Sequence, residues 1–281
     1  MRNATVFLGG GRITAALAAG LRLAERRLGK RRSDRAARKI VVYDRHPEKL
    51  RALRRESRVE VERDLKSAIE RAEMLIVAVR PASVKEMLGE VAACGARVPR
   101  LCVSVAAGIP LRSLQRWVRG AVGGDAVRWV RTMPSPVCRI GRGLTPLSFA
   151  RGVSKSDRAR VRRMFAQVGA VLELPERQMD AFTAAYSSSH GYHALATLAK
   201  AAQDAGLDRK TALIAAAHAL SDGIVYWRES GQSLDGLLHE AATPGGIAAA
   251  AMAAMNEAGY VQAVAGGIRA GVKRARGNAR L

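Results

Sequence analysis

At 281 residues the chain is long enough for one large domain or two moderate ones, each with its own core. Apolar residues make up 48% and aromatics 4%, so the core is mostly Ala, Val, Leu and Ile. No apolar run approaches the roughly 18–20 residues that span a bilayer, and glycines break the first apolar run before it can read as a secretory leader. The formal net charge of +23, carried mainly by arginine, excludes an acidic protein and gives a general field that draws anionic ligands.

In chain order, Ala4-Thr5-Val6-Phe7-Leu8 is a short β-prone run, Gly9-Gly10-Gly11 follows it, and Arg12-Ile13-Thr14-Ala15-Ala16-Leu17 opens an alanine-rich helical pattern. This is a strand–turn–helix built to receive a pyrophosphate. Gly9 permits the tight turn and Gly11 lets the backbone approach the phosphates. The N–H groups and positive dipole end of the helix then face the negative charge. Thr14 stands where the G-x-G-x-x-G pattern has its third glycine. Residues 22–39 carry nine Lys and Arg against Glu25 and Asp34, and a second basic run occupies residues 269–280. Clustered basic groups suit a polyanion, or a solvated loop and helix end. No aromatics interleave the first run and neither run has a base-reading motif, so nucleic acid is not the expected partner.

Residues 39–44 read as a second buried strand, 47–55 as a helix and 59–61 as a short strand. Residues 74–79 read as a central strand stopped by Pro81, 101–105 as another followed by a helix from about Pro110, and 127–131 as a sixth. Strands separated by helical patterns argue for βαβ units and a doubly wound parallel sheet of Rossmann type. The acidic residue that usually follows the glycine turn by about 20 positions is delayed here to Asp44. Asp44 either accepts a ribose 2′-OH, which favours NAD, or caps the following helix. Arg45, His46 and Lys49 are suited instead to the 2′-phosphate of NADP, and the sequence leaves the two forms open.

Beyond about residue 155 the pattern becomes helical, with a brief strand at 171–174 and breaks at Gly206, Gly231, Pro244-Gly245-Gly246 and Gly259. The division expected is a dinucleotide-binding domain over 1–153 and a helical domain over 154–281. Segments 194–205 and 212–220 are apolar on most faces and must be buried, which points to a second copy of the chain. Cys94, Cys102 and Cys138, odd in number and widely spaced, suit reduced thiols rather than disulfides or a metal site. No metal and no membrane association are expected, and the expected compartment is the cytoplasm.

With these residues in view, the chain resembles the pyrroline-5-carboxylate reductase family over nearly its full length. Phe7-Leu8-Gly9-Gly10-Gly11 is similar to the family's F-I/L-G-x-G, Val77-Ala78-Val79-Arg80-Pro81 to its A-V-K/R-P, and Ser104-Val105-Ala106-Ala107-Gly108-Ile109 to its S-I/V-A-A-G-I/V. Val130-Arg131-Thr132-Met133-Pro134 resembles R-x-M-P. Phe165 with Gly169, Met179-Asp180-Ala181-Phe182-Thr183-Ala184 and Thr243-Pro244-Gly245-Gly246 follow the remaining motifs in order. The resemblance implies a Rossmann domain with a helical dimerisation domain, in a homodimer or higher assembly, moving hydride from NADH or NADPH to the C=N carbon of a small cyclic imine. It implies that Gly9, Gly11, Arg12 and Ile13 hold the pyrophosphate and that Arg45 lies near the adenosine ribose. Val79, Arg80 and Pro81 then lie along the cofactor, and Ala106, Ala107 and Gly108 at its nicotinamide end.

The substrate-side motifs depart from the family. Its S-P-G-G-T/A-T carries a threonine hydroxyl for the substrate nitrogen, where this chain has Ala248. Its S-G-S-G-P-A-Y is here Tyr186-Ser187-Ser188-Ser189-His190-Gly191-Tyr192, and its M-P-N-T-P is Met133-Pro134-Ser135-Pro136-Val137. The expected substrate-side residues are Ser188, Gly245, Gly246 and Ala248. The imine nitrogen needs a proton or donor, and the candidates are His190, Tyr186 and Tyr192, with His193 beside them. An unperturbed imidazole titrates near about 6.5, which places His190 first. Tyr186 and His190, four apart, are expected on one side of a helix start. Three readings follow: a pocket rebuilt for another imine, a proline-biosynthetic enzyme with an unusual donor, or a catalytically silent dinucleotide-binding protein.

Overall fold

The computed structural model describes residues 2–29 and 39–280, so the 30–38 part of the first basic run lies outside the described residues. In chain order the elements are β1 (Ala4–Leu8), α1 (Arg12–Gly29), β2 (Ile40–Tyr43), α2 (Pro47–Ser57), β3 (Glu60–Glu62), α3 (Leu65–Arg71) and β4 (Ala72–Val77). Next come α4 (Val84–Ala93), β5 (Leu101–Ser104), α5 (Leu111–Val118), β6 (Arg128–Thr132), β7 (Leu144–Phe149), α6 (Lys155–Ala166) and β8 (Ala170–Glu173). The remainder is helical: α7 (Met179–Ala185), α8 (Ser188–Asp204), α9 (Arg209–Ser230), α10 (Leu234–Ala241), α11 (Ile247–Glu257) and α12 (Tyr260–Asn278).

The chain forms two compact units. One holds the residues up to Ala185 together with those from Gly271 onward, and the other is 186–270. In the first, eight strands lie in the order β3-β2-β1-β4-β5-β6-β7-β8. Every pairing is parallel except β6 with β7. The first six strands have the order of a Rossmann sheet, and its direction reverses between β1 and β4.

Alternation along each strand builds two cores. Val6, Leu8, Val41, Leu75, Val77, Cys102 and Trp129 pack toward α3, α4 and α5. Phe7, Ile40, Val42, Met74, Ile76, Val103 and Val130 pack toward α1, α2 and α6. Strands covered on both faces need apolar residues at every position, which is why these runs read as continuous. Burying a side chain such as Phe7 stabilises by roughly 1.5–3 kcal/mol.

The division expected at 153/154 differs from the units observed. β8 pairs in parallel with β7 from Leu144↔Ala170 to Leu147↔Glu173, so the sheet runs on past residue 153. β7 itself escapes the sequence reading because Pro146 interrupts it and supplies no ladder N–H.

In the unit 186–270, α8 and α9 pack together, and the buried residues are the small Ala199, Ala212 and Ala216. Large apolar side chains stay exposed there, among them Ile224, Val225, Tyr226, Trp227, Leu238 and Ile247. Among the described residues no helix is long and apolar enough to cross a membrane.

Candidate active site

β1 ends at Leu8 and the chain turns at Gly9, whose φ of +113° is open to glycine. A Cβ there would also come within 2.7 Å of the Ala78 carbonyl oxygen. The Gly9 N–H donates to Tyr43 O at 2.7 Å, fixing the turn to the end of β2. Thr14 is fully buried, and its hydroxyl donates to Gly9 O at 2.6 Å. The residue in place of the third glycine therefore ties the helix back to the turn.

Around Gly11, by contrast, a Cβ would meet nothing within 4 Å. The N–H groups that open α1 have no intrahelical partner by helix geometry, and before them Gly9 N–H is taken by Tyr43 O and Gly10 N–H by Asp44 Oδ2, each at 2.7 Å. Open space beside unpaired donors at a helix N-terminus suits a dinucleotide pyrophosphate.

Asp44 closes the end of β2. Its Oδ1 accepts from His46 N at 2.9 Å and lies 3.6 Å from Lys49 Nζ. The carboxylate thus braces the glycine turn and the residue that leads into α2, without being the cap of that helix. The α2 N-cap is His46, which makes no side-chain cap bond. Arg45 reaches the other way, to Glu86 Oε1 at 2.9 Å and Glu90 Oε1 at 3.5 Å on α4. The hydrogen bond from Arg45 holds the Glu86 carboxyl below its ordinary range.

The remaining cofactor-side residues gather on the same edge. Ala78 N donates to Leu8 O at 2.8 Å, which sets Val79 beside Gly9, while Arg80 is exposed and Pro81 starts a short 3-10 turn. Val105 N donates to Val77 O at 3.0 Å and Ala106 N donates to Ser104 Oγ at 3.3 Å, so Ala106 and Ala107 leave the end of β5 beside them. Gly9, Gly11, Asp44, Val79 and Ala106 therefore stand at the carboxyl ends of β1, β2, β4 and β5, where α/β sheets bind ligands. A separate groove of about 820 Å³ lies over β6–β8, lined by Arg112, Trp129, Phe149 and Glu173, away from this edge.

Two further matched motifs have a structural partner that sequence reasoning missed. Arg131 on β6, 4% exposed, pairs with Asp180 of α7 and lies 3.7 Å from Glu176. Glu176 in turn accepts from Leu111 N at 2.6 Å. A buried guanidinium whose nearer acidic partner, Asp180, lies 49 positions away along the chain leaves no local sequence signal.

In the helical unit, Ser187 is the N-cap of α8 and accepts from Ser189 N at 3.4 Å, with its Oγ 2.7 Å from Ser189 Oγ. Ser188 is the first helical residue and His190 lies in the first turn, its ring exposed. Tyr186 precedes the cap, where the chain is extended at Ser187 (φ −125°, ψ 129°). Tyr186 therefore lies one residue before the helix cap, and His190 within the first turn. Tyr192, two residues on, is exposed. At the second segment, Gly246 N donates to Thr243 O at 2.9 Å, closing the turn that contains Gly245. Gly246 is then the N-cap of α11 with no side-chain cap bond, and Ala248 presents an exposed methyl in the first turn.

Comparison with known proteins decides the family. The family described as "Pyrroline-5-carboxylate reductase dimerisation" matches residues 176–278, and "NADP oxidoreductase coenzyme F420-dependent" matches 5–108. The pyrroline-5-carboxylate reductase of Mycobacterium tuberculosis is 30% identical over 292 residues, covering 95% of this chain and 94% of the relative. The chain belongs to the pyrroline-5-carboxylate reductase family. The Mycobacterium leprae enzyme of that name is 34% identical over 205 residues, covering 72% of this chain and 64% of the relative. Among solved structures, the Streptococcus pyogenes 1-pyrroline-5-carboxylate reductase has the same fold, with a TM-score of 0.83 at 21% identity and 98% of each chain covered. A reductive aminase of Aspergillus terreus shares it more distantly, with a TM-score of 0.56 at 16% identity over 87% of this chain and 79% of the other. Membership makes the protein an NAD(P)-dependent reductase acting on C=N. Against the family pattern, the glycine turn keeps its F-I/L-G-x-G residues, and the changed positions lie at Ser135–Val137, within Tyr186–Gly191 and at Ala248.

Proposed function

We propose that this reductase acts on a small cyclic imine through a substrate pocket rebuilt relative to pyrroline-5-carboxylate reductases. The observation that carries the reading is Ala248. Its methyl stands in the first turn of α11 where the family pattern has a threonine hydroxyl, while the Gly9–Gly11 cradle is kept. The bound nicotinamide dinucleotide supplies the hydride. Gly11, Arg12 and Ile13 hold its pyrophosphate through backbone N–H groups, Asp44 and Arg45 face the adenosine ribose, and Val79, Arg80, Pro81, Ala106 and Ala107 line its length. Both NADH and NADPH fit this residue set, with Asp44 favouring the first and Arg45 and Lys49 the second.

On the substrate side, His190 donates the proton that the imine nitrogen takes as charge shifts onto it. Ser188, Gly245, Gly246 and Ala248 shape the pocket, and Tyr186 and Tyr192 flank it. The active form is a homodimer, supported by the dimerisation match over 176–278 and by the apolar side chains exposed within that span. It works in the cytoplasm, where Cys94, Cys102 and Cys138 stay as free thiols. Burial pushes the Cys138 thiol up to about 12, which keeps it inert.

The test is a screen of cyclic imines, including pyrroline-5-carboxylate, with each cofactor. The expected result is the highest kcat/KM on an imine other than pyrroline-5-carboxylate. His190→Ala is expected to lower kcat by about 10²-fold or more, and unchanged turnover removes His190 from the mechanism. A second reading, a proline-biosynthetic reductase with a substitute donor, draws on the Mycobacterium tuberculosis relative matching 95% of the chain. Preference for pyrroline-5-carboxylate in the same screen selects it. Failure of both cofactors to bind at millimolar concentration selects a silent binding fold instead and ends the reductase reading.

A further inference from the structure

We propose that Asn278, at the end of α12, is a positioning residue that sets the turn at residues 106–108 for the cofactor. The inference rests on the reading of that turn as the nicotinamide end of the site. Most of α12 is exposed, yet its last turn belongs to the sheet unit and buries Ala275 and Asn278, the latter 7% exposed. Asn278 Nδ2 donates to Ala107 O at 3.1 Å across 171 positions of sequence. Gly108 is shaped to the same contact. Its φ is +78°, and a Cβ there would lie 2.0 Å from Ala275 O and 2.9 Å from Asn278 Cβ.

The consequence follows from the planarity of the peptide. In a trans unit the carbonyl and the following N–H point in opposite directions. Holding Ala107 O toward Asn278 therefore aims the Gly108 N–H away from α12. Neither Ala107 N nor Gly108 N donates to any described residue. Two adjacent backbone donors are thus left unpaired on the cofactor edge of the sheet, and Asn278 fixes the direction of one. Such preset donors cost no reorganisation when a ligand arrives. Without Asn278, Ala107 O loses its buried partner and the peptide is free to rotate.

Asn278→Leu, close in size and uncharged, removes the donor from the full-length protein. Titration of the nicotinamide fluorescence of NADH and of NADPH is expected to show both dissociation constants raised about tenfold, the scale of one lost hydrogen bond. At saturating cofactor, kcat should fall while KM for the imine holds, a split that a merely looser fold does not give. Arg280→Ala, which removes charge nearby and leaves the amide, should change neither. Unaltered dissociation constants in folded Asn278→Leu overturn the inference while leaving the reductase reading intact. Wild-type protein that binds neither cofactor overturns both.

Should Asn278→Leu fail to fold, the wild type alone decides the matter through hydrogen exchange. Coupling between sites is reciprocal, so NADPH should slow amide exchange at residues 274–279 as well as at 105–109. Slowing confined to 105–109 rejects the role of Asn278.

Discussion

The sheet unit and the helical unit solve burial in different ways. Between β1 and β6, large residues such as Phe7, Leu75, Ile76 and Trp129 alternate across both faces of the strands, and each face has its own helices. That unit completes its core within one chain. In residues 186–270 the buried positions are alanines, while Trp227 is 44% and Ile247 92% exposed. Apolar surface on that scale marks an interaction site. The sequence of one unit therefore encodes a finished fold, and that of the other encodes half of an interface. The glycine turn at Gly9–Gly11, in the finished half, follows the family's pattern, whereas the altered positions Tyr186, His190 and Ala248 belong to the other, and one further altered segment, Ser135–Val137, lies in the finished half.

The largest test of this contrast is Trp227→Glu. A carboxylate placed in a dimer interface is buried without a partner and costs several kcal/mol. Light scattering should show the mass falling to one chain, together with loss of turnover. A dimer of unchanged mass would mean that this face is not the one covered.

Within the sheet unit, Asp180→Asn removes the principal acidic partner of buried Arg131. An uncompensated charge should lower unfolding free energy by about 3 kcal/mol in chemical denaturation, and retention of full stability would assign the burden to Glu176. Gly9→Ala forces a side chain against the Ala78 carbonyl at a left-handed φ and is expected to cost about 2 kcal/mol in the same assay. Gly11→Ala meets open space instead. Its stability should stay within about 0.5 kcal/mol of wild type, while its dissociation constant for NADH or NADPH rises about tenfold. Unaffected cofactor binding in Gly11→Ala would show that the space beside α1 serves no ligand.

The smallest effect concerns a device the two units share. Asp64 caps α3 by accepting from Ser67 N at 2.7 Å, and Asp208 caps α9 by accepting from Lys210 N at 2.9 Å and Thr211 N at 3.2 Å. The backbone bond from Ser67 holds Asp64 below its ordinary value, and the Thr211 side chain, with the Thr211 backbone bond second, does the same for Asp208. A depressed folded value means stability present at neutral pH and lost as pH falls through it, below about pH 4. Thermal melting of Asp64→Asn and Asp208→Asn should show a shallower acid decline than wild type. An unchanged acid limb would remove the caps from the acid transition.

Legibility in the sequence followed locality. Both the strand–turn–helix at Gly9 and the apolar strands through β6 were readable because their cause is a contiguous run with a fixed period. β7 was not, since Pro146 breaks the pattern that identifies a strand. Without β7, the run at 171–174 lost its partner and was grouped with the helices. Thr14 looked like a defect in the glycine pattern, and only the distance to Gly9 O shows it as a tie. The four-residue spacing of Tyr186 and His190 does not reveal that the cap of α8, Ser187, stands between them.

By itself, the sequence determined the Rossmann sheet, the strand–turn–helix at Gly9, the family and the alanine-rich surface that asks for a second copy. These rest on periodicity, on glycines at a turn and on short ordered motifs, all of them local along the chain. Tertiary structure decided where the sheet ends, that Asp44 braces Gly10, that Arg131 meets Asp180, and that Asn278 returns to Ala107. Each joins residues far apart in sequence, and such a contact exists only once the backbone has brought its two ends within a few ångströms.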